Sequence, residues 1–387
     1  MPAPGPESAP SPLIHLVPAA VIILALIAVS NPEKVSGIRL LFDPHDIGVY
    51  FRSSRWVVGE GRLYREVPSE YPLLANLIFA ASRYVGSWVD PGKVAFEYAW
   101  VLSAALVYIW AVYCVAYNTS LLATLAWLAP APIYFALFRY DIYPAAATLL
   151  AMLAIRRASF SEAAFFLGVA AALKGYALFL LPAFCVFVLY QRGLRTAITC
   201  GLIALAPLIV CLLAALAFSG WTGMMEPFTR QSGRKFNGES LYDVVNFLLG
   251  TRLKANDVPL LPQALQVSCA LIAAAMRPRN FQDLVNAFLF ALLGFLIFSP
   301  FHSPQFVLWI LPVVAFSDSR VMLILALILS WVTYVYFPVA YDLGRRGDGL
   351  KVAVTAVTAI RLAMMALTVN AWRNSQGERR QAPSGFG

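Results

Sequence analysis

Apolar runs recur along this chain with short polar breaks between them. They lie near residues 13–30, 72–86, 97–117, 120–137, 142–156, 159–173, 175–191, 196–218, 259–276, 282–298, 304–317, 320–338 and 350–372. Most approach the roughly 20 residues that a helix needs to cross hydrocarbon. The pattern predicts an all-α, polytopic membrane protein. The short runs would be tilted or re-entrant.

The breaks carry a second signal. Short basic connectors favour the cytoplasmic side. The clear ones here are Arg156-Arg157, the segment 191–195 (QRGLR), Arg277-Pro278-Arg279 and the tail with Arg373, Arg379 and Arg380. If all thirteen runs crossed from a cytoplasmic N-terminus, these connectors would all fall outside. If the run 72–86 lies in the interface or re-enters, the other twelve alternate and every basic connector falls inside. The expectation is therefore one transmembrane domain over 1–387, with about 12 spans and both termini cytoplasmic. Residues 1–12 and 373–387 form cytoplasmic tails. Residues 31–96 form a first outer loop with an interfacial or re-entrant helix, and 219–258 a second. The start of the chain lacks the basic flank of a cleavable signal, so 13–30 is read as a retained span.

Composition agrees. Hydrophobic residues make up 60% and charged residues 13%, against roughly 25% charged in soluble domains. The net charge of +9 falls on no soluble basic face, which argues against a nucleic-acid partner. The five cysteines sit in or beside apolar runs without CxxC spacing and read as small buried hydrophobes. The three histidines are scattered, so no metal site is indicated.

Six polar islands on the expected outer side could carry chemistry. The first holds Asp43 and Asp46, followed by Tyr50. Asp43-Pro44 also suits a plain helix start, and Asp46 would suit the first turn of that helix. The second runs through Tyr64 to Glu70, which could simply cap the following run. The third is Arg139-Tyr140-Asp141, where the two charges could pair only with each other. The fourth is Lys174, with snorkelling as its bland reading. The fifth holds Arg230, Arg234 and Glu239, in a loop long enough to be merely solvated. The sixth, 298–312, presents His302 and Gln305 where two prolines break a helix. Arg361, central in the last run, has no assigned role.

These islands resemble a known family. Asp46-Ile-Gly-Val-Tyr50, Gly61-Arg-Leu-Tyr64 and Glu70-Tyr-Pro-Leu-Leu resemble the first outer loop of GT-C superfamily glycosyltransferases. The likeness is to the polyprenyl-phosphate-mannose-dependent branch, which includes the mycobacterial phosphatidylinositol-mannoside mannosyltransferases. Leu73 stands where that loop has a second proline. Phe138 to Asp141, Leu173 to Tyr176, Arg234 to Leu241 and Ser303 to Trp309 resemble that branch's later motifs, in order.

The resemblance implies transfer of a sugar, mannose first, from a polyprenyl-phosphate donor to a lipid or glycan acceptor outside the plasma membrane. Inverting single displacement is implied, with neither cofactor nor metal. Asp46 is the expected base, with Asp43 second. Lys174, Arg230, Arg234, His302 and Gln305 are expected at the donor phosphate. Glu70, Asp141, Arg139, Tyr50, Tyr64 and Glu239 are expected to bind or orient sugar and acceptor. A flippase for lipid-linked sugars and an O-antigen-ligase-like enzyme with a diphosphate donor are the alternatives.

Overall fold

A computed structural model describes residues 45–232, 236, 240–254, 257–258, 260–341 and 348–381. The expected run at 13–30, Asp43, Arg234, Glu239 and the two chain ends lie outside these residues. The described chain is helical, with fifteen α-helices and no strand. They are α1 His45–Ser53, α2 Leu73–Ser87, α3 Lys93–Asn118, α4 Leu121–Trp127, α5 Pro130–Phe138, α6 Ile142–Arg156, α7 Phe160–Leu173 and α8 Leu181–Arg192. Then come α9 Leu194–Ser232, α10 Leu241–Leu249, α11 Leu261–Ala275, α12 Phe281–Ile297, α13 Val307–Val314, α14 Arg320–Tyr334 and α15 Asp348–Gln381.

The expected twelve spans do not correspond one to one with these helices. By length and apolarity five helical stretches could cross a membrane, or six if the pair α4 and α5, bent by 50°, is one span. Other apolar runs fold as helices of 8 to 17 residues, short of a full crossing. Pro144 and Pro304 each sit in the first turn of a helical segment that begins after a break, where a missing N–H costs nothing. Residues 219–232, expected in the second outer loop, instead continue α9 past a kink at Gly220, whose φ of 70° favours glycine.

The helices have a common basic end. Gln191 Nε2 donates to the Arg279 carbonyl (2.5 Å), and Trp372 Nε1 donates to the Met276 carbonyl (3.1 Å). The Arg279 guanidinium lies over the Tyr190 ring. Gln282 links this region to residues 316–318. Arg156 donates to the Asn118 carbonyl, and its charge acts on Asp318. The connectors grouped by charge in the sequence thus gather on one face.

Small residues let the helices approach. A Cβ at Gly168 of α7 would collide with the Ala204 carbonyl of α9, and one at Gly294 of α12 would meet Cys269 of α11. Without a hydrophobic drive between helices in lipid, such close packing supplies much of the association energy. On α9, Leu202, Ile209, Val210 and Leu213 remain exposed, which suits contact with acyl chains.

Candidate active site

Three helix breaks and the start of α1 meet at the ends of helices opposite the basic face. Residues 139–141 separate α5 from α6. Arg139 is extended (φ −129°, ψ 148°), and the Tyr143 N–H closes the following turn on the Tyr140 carbonyl. Lys174 is extended too (φ −152°, ψ 122°), between α7 and a short 3₁₀ turn over Gly175–Leu180. Residues 298–303 separate α12 from the turn Pro304–Phe306 and α13.

Charges alternate across these breaks. Arg139 Nε lies 3.1 Å from Asp46 Oδ2. Lys174 Nζ lies 3.2 Å from Asp141 Oδ1, which also accepts from Trp309 Nε1 at 2.8 Å. Asp141 is 0% exposed and makes no cap to its own helix, so a local structural use does not explain it. Its Oδ2 is buried without a hydrogen-bond partner among the described residues. The two ends of the row, Asp46 and Lys174, are 23% and 22% exposed. One carboxylate and one ammonium therefore open outward, each paired with a buried counter-charge. The sequence-level possibility that Arg139 and Asp141 pair only with each other does not hold, because each finds a partner from another element.

Aromatic rings fix the geometry. Lys174 Nζ sits 4.3 Å from the Tyr140 ring and 5.2 Å from Trp309, both within cation–π range. Trp309 is stacked between Tyr176 (4.5 Å) and Phe306 (3.9 Å). Tyr50 is fully buried among Tyr71, Phe79, Trp100 and Tyr140, and its hydroxyl accepts from the Tyr140 backbone N–H at 3.3 Å. It braces the row from behind. One turn earlier on the same helix, Asp46 faces the row.

The remaining expected residues sort by position. Tyr64 is buried. Its hydroxyl donates to the Tyr71 carbonyl (2.7 Å), and Asn76 donates to both (3.2 and 2.8 Å), so it holds the turn that presents Glu70. Glu70 is half-buried and its charge reaches Tyr140. Gln305 accepts through Oε1 from the Ser303 hydroxyl. His302 is buried and faces Arg361 of α15. Arg230, half-exposed on the extension of α9, pairs with Glu226 at 2.5 Å, and among the described residues no contact joins it to the row. Trp309 and Arg361 were not identified from the sequence as site residues. Trp309 stood inside a quoted motif. Arg361 announced itself only as a charge within an apolar run.

Beside the row lies a cleft of about 420 Å³ between α2, α3, α6 and α7. Leu74, Ile78, Val107, Trp110, Tyr143 and Leu173 are among its lining residues. Tyr143 and Leu173 stand two and one residues from Asp141 and Lys174, so an apolar chain in the cleft would end near the charges.

A family model described as Glycosyltransferase family 87 matches residues 71–304 of the chain. No curated protein matches it.

Proposed function

The chain belongs to glycosyltransferase family 87, and on that premise we propose that it moves a sugar from a polyprenyl-phosphate donor to a hydroxyl of a lipid or glycan acceptor at the outer face of the cell membrane. Mannose is the first sugar to test, because the sequence motifs resemble those of mannosyltransferases. The observation that carries the reading is the alternating row, with a carboxylate accessible at one end and an ammonium at the other.

A hydroxyl is a weak nucleophile until its proton has somewhere to go. Asp46 takes that proton as the acceptor oxygen attacks the anomeric carbon. Arg139, bound to Oδ2, holds the carboxylate in place. The bond from the anomeric carbon to the phosphate oxygen breaks with inversion, and its electron pair leaves on the polyprenyl phosphate. Negative charge grows there, and a pre-placed cation stabilises it. Lys174 is the accessible cation, oriented by Asp141 and the rings around it. The apolar cleft beside Leu173 takes the near end of the prenyl chain.

The polar groups sit at helix breaks, a feature that transporters share. Membership in a transferase family favours chemistry over transport. Purified protein incubated with labelled polyprenyl-phosphomannose should release polyprenyl phosphate and a new mannoside. Asp46→Asn should still bind donor and lose transfer by roughly 10²–10⁴-fold, the usual weight of general-base catalysis. Undiminished transfer in that variant excludes Asp46 as the base.

A further inference from the structure

The turn at residues 69–72 is built around one buried amide, that of Asn76 on α2, which is 0% exposed. Its Nδ2 donates to the Tyr71 carbonyl (2.8 Å), the Pro72 carbonyl (3.2 Å) and the Tyr64 hydroxyl (3.2 Å). Its Oδ1 accepts from the Ser69 hydroxyl (3.0 Å), and that oxygen accepts from the Tyr71 N–H (3.3 Å). The Tyr64 hydroxyl donates to the Tyr71 carbonyl (2.7 Å). Both ends of the amide are therefore occupied, and every one of these bonds fixes the same short turn. Tyr71 is held at its N–H and at its carbonyl.

The backbone of Tyr64 adds a second observation. Its φ is 66°, a value uncommon for a bulky residue. Such a conformation persists only where the surroundings over-determine it, and it is concentrated at functional sites. Here it is held from two sides. Asn76 and Tyr71 bind the hydroxyl. Its chain neighbours are clamped to the kink of α9, where the Ser219 hydroxyl donates to the Leu63 carbonyl and Arg65 Nε donates to the Ser219 carbonyl (2.9 Å).

The turn faces the row. The Tyr71 ring meets Tyr140 edge-on at 5.1 Å and Tyr50 at 5.5 Å. Tyr140 lies between Arg139 and Asp141 in the chain, and Lys174 Nζ sits 4.3 Å from its ring. Tyr50 follows Asp46 by one turn of α1 and accepts from the Tyr140 N–H. One ring thus touches the supports of both ends of the row.

We propose that Asn76 is a positioning residue for the row. Through the 69–72 turn and the Tyr71 ring it fixes the 139–141 break, and with it the placement of Asp46 relative to Lys174. Fully buried, it acts through Tyr71 and does not itself meet substrate. Its effect on turnover rests on the transferase reading of the row, whereas its hold on the break does not.

Hydrogen–deuterium exchange and steady-state kinetics on the full-length protein in lipid nanodiscs test this. Asn76→Ala should speed exchange across 64–76 and also across 139–144, which includes the Tyr140 N–H. Exchange at 277–282, on the basic face, should not change. With labelled polyprenyl-phosphomannose, kcat should fall about ten- to a hundredfold, the scale of a misplacement of up to about 1 Å, and KM should stay near its wild-type value. Tyr64→Phe should do the same to a smaller degree. The double variant should lose less than the product of the two single losses, because the two side chains act as a unit. A purely structural amide would lower the melting transition, confine the faster exchange to 64–76 and leave kcat intact below that transition, which overturns the proposal. If Asn76→Ala does not fold, Tyr64→Phe and Ser69→Ala decide, and wild-type exchange at 139–144 in both overturns it. A wild type that transfers no mannose overturns the reading of the row, and exchange at 139–144 then decides on Asn76 alone.

Discussion

Asp141 is the residue whose environment asks most of its neighbours. An ionised carboxylate with no exposure is costly unless paired, and removing the partner of a buried ion costs about 3–5 kcal/mol. Lys174 is that partner at 3.2 Å, and the Trp309 N–H adds one hydrogen bond. Lys174→Met should therefore lower the unfolding midpoint as well as activity. Adding Asp141→Asn in that background should recover part of the midpoint, because the orphaned charge is gone, while activity stays lost. A thermal-melt double-mutant cycle reads this coupling. Equal midpoints for Lys174→Met and wild type would mean that the lysine does not hold the buried charge. At this scale the sequence marked the charges out and was silent about who meets whom. Asp46, Arg139, Asp141 and Lys174 each stood out as charges beside apolar runs. The pairing of Asp46 with Arg139, 93 positions away, depends on two breaks facing each other, and no local pattern encodes that. Tyr64 stands in a motif, and what the sequence did not tell is that its hydroxyl bonds the Tyr71 carbonyl.

At the scale of elements, the helices that end at the row are short, and this gives the site its depth. The helices α6, α7 and α12 have 15, 14 and 17 residues. At 1.5 Å per residue they run about 21–26 Å from the basic face. That is less than the roughly 30 Å of hydrocarbon, so with the basic face at one membrane boundary their far ends would stop short of the other. Counting spans from apolar length missed this. A run that stops a turn early and one that crosses look alike in composition, and proline-marked breaks read equally well as loops. The position of Lys174 then depends on how closely α7 can lie against α9. Gly168 sets that distance, since a side chain there would press on the Ala204 carbonyl. Gly168→Leu should cost about 1–3 kcal/mol of stability, the usual toll of overpacking. It should also weaken donor binding by shifting the break at 174. Gly377→Leu, in open space on α15, is the matched control and should lower neither. Intact stability in Gly168→Leu would show that α7 and α9 are not in the close contact described.

At the scale of the whole molecule, the row and the basic connectors lie at opposite ends of the bundle, which turns a local chemical reading into a statement about sidedness. The α9 helix starts at Leu194 beside the connector 191–195. At Ser219 its hydroxyl reaches the Leu63 carbonyl, and its carbonyl accepts from Arg65. Twenty-five residues of helix, about 38 Å, separate these points, enough to pass through a bilayer. The α15 helix repeats the relation, with Trp372 at the basic end and Val354 packed against Val244 of α10 at the other. Basic short connectors favour the cytoplasm, so the row should face outward, where a sugar donor must be lipid-linked because nucleotide sugars are made inside. Single cysteines in a background without the five native ones can read this. A membrane-impermeant thiol reagent applied to intact cells should label Glu60→Cys and Arg252→Cys. It should reach Arg195→Cys and Gly377→Cys only after lysis. The reverse pattern would put the row inside and make a nucleotide-sugar donor the better hypothesis. With the expected pattern, the donor question narrows to its phosphate. The row offers one accessible ammonium, that of Lys174, which suits a monophosphate, so polyprenyl-phosphomannose should be turned over and the diphosphate-linked sugar should not. Preferential use of the diphosphate would favour an O-antigen-ligase-like reaction.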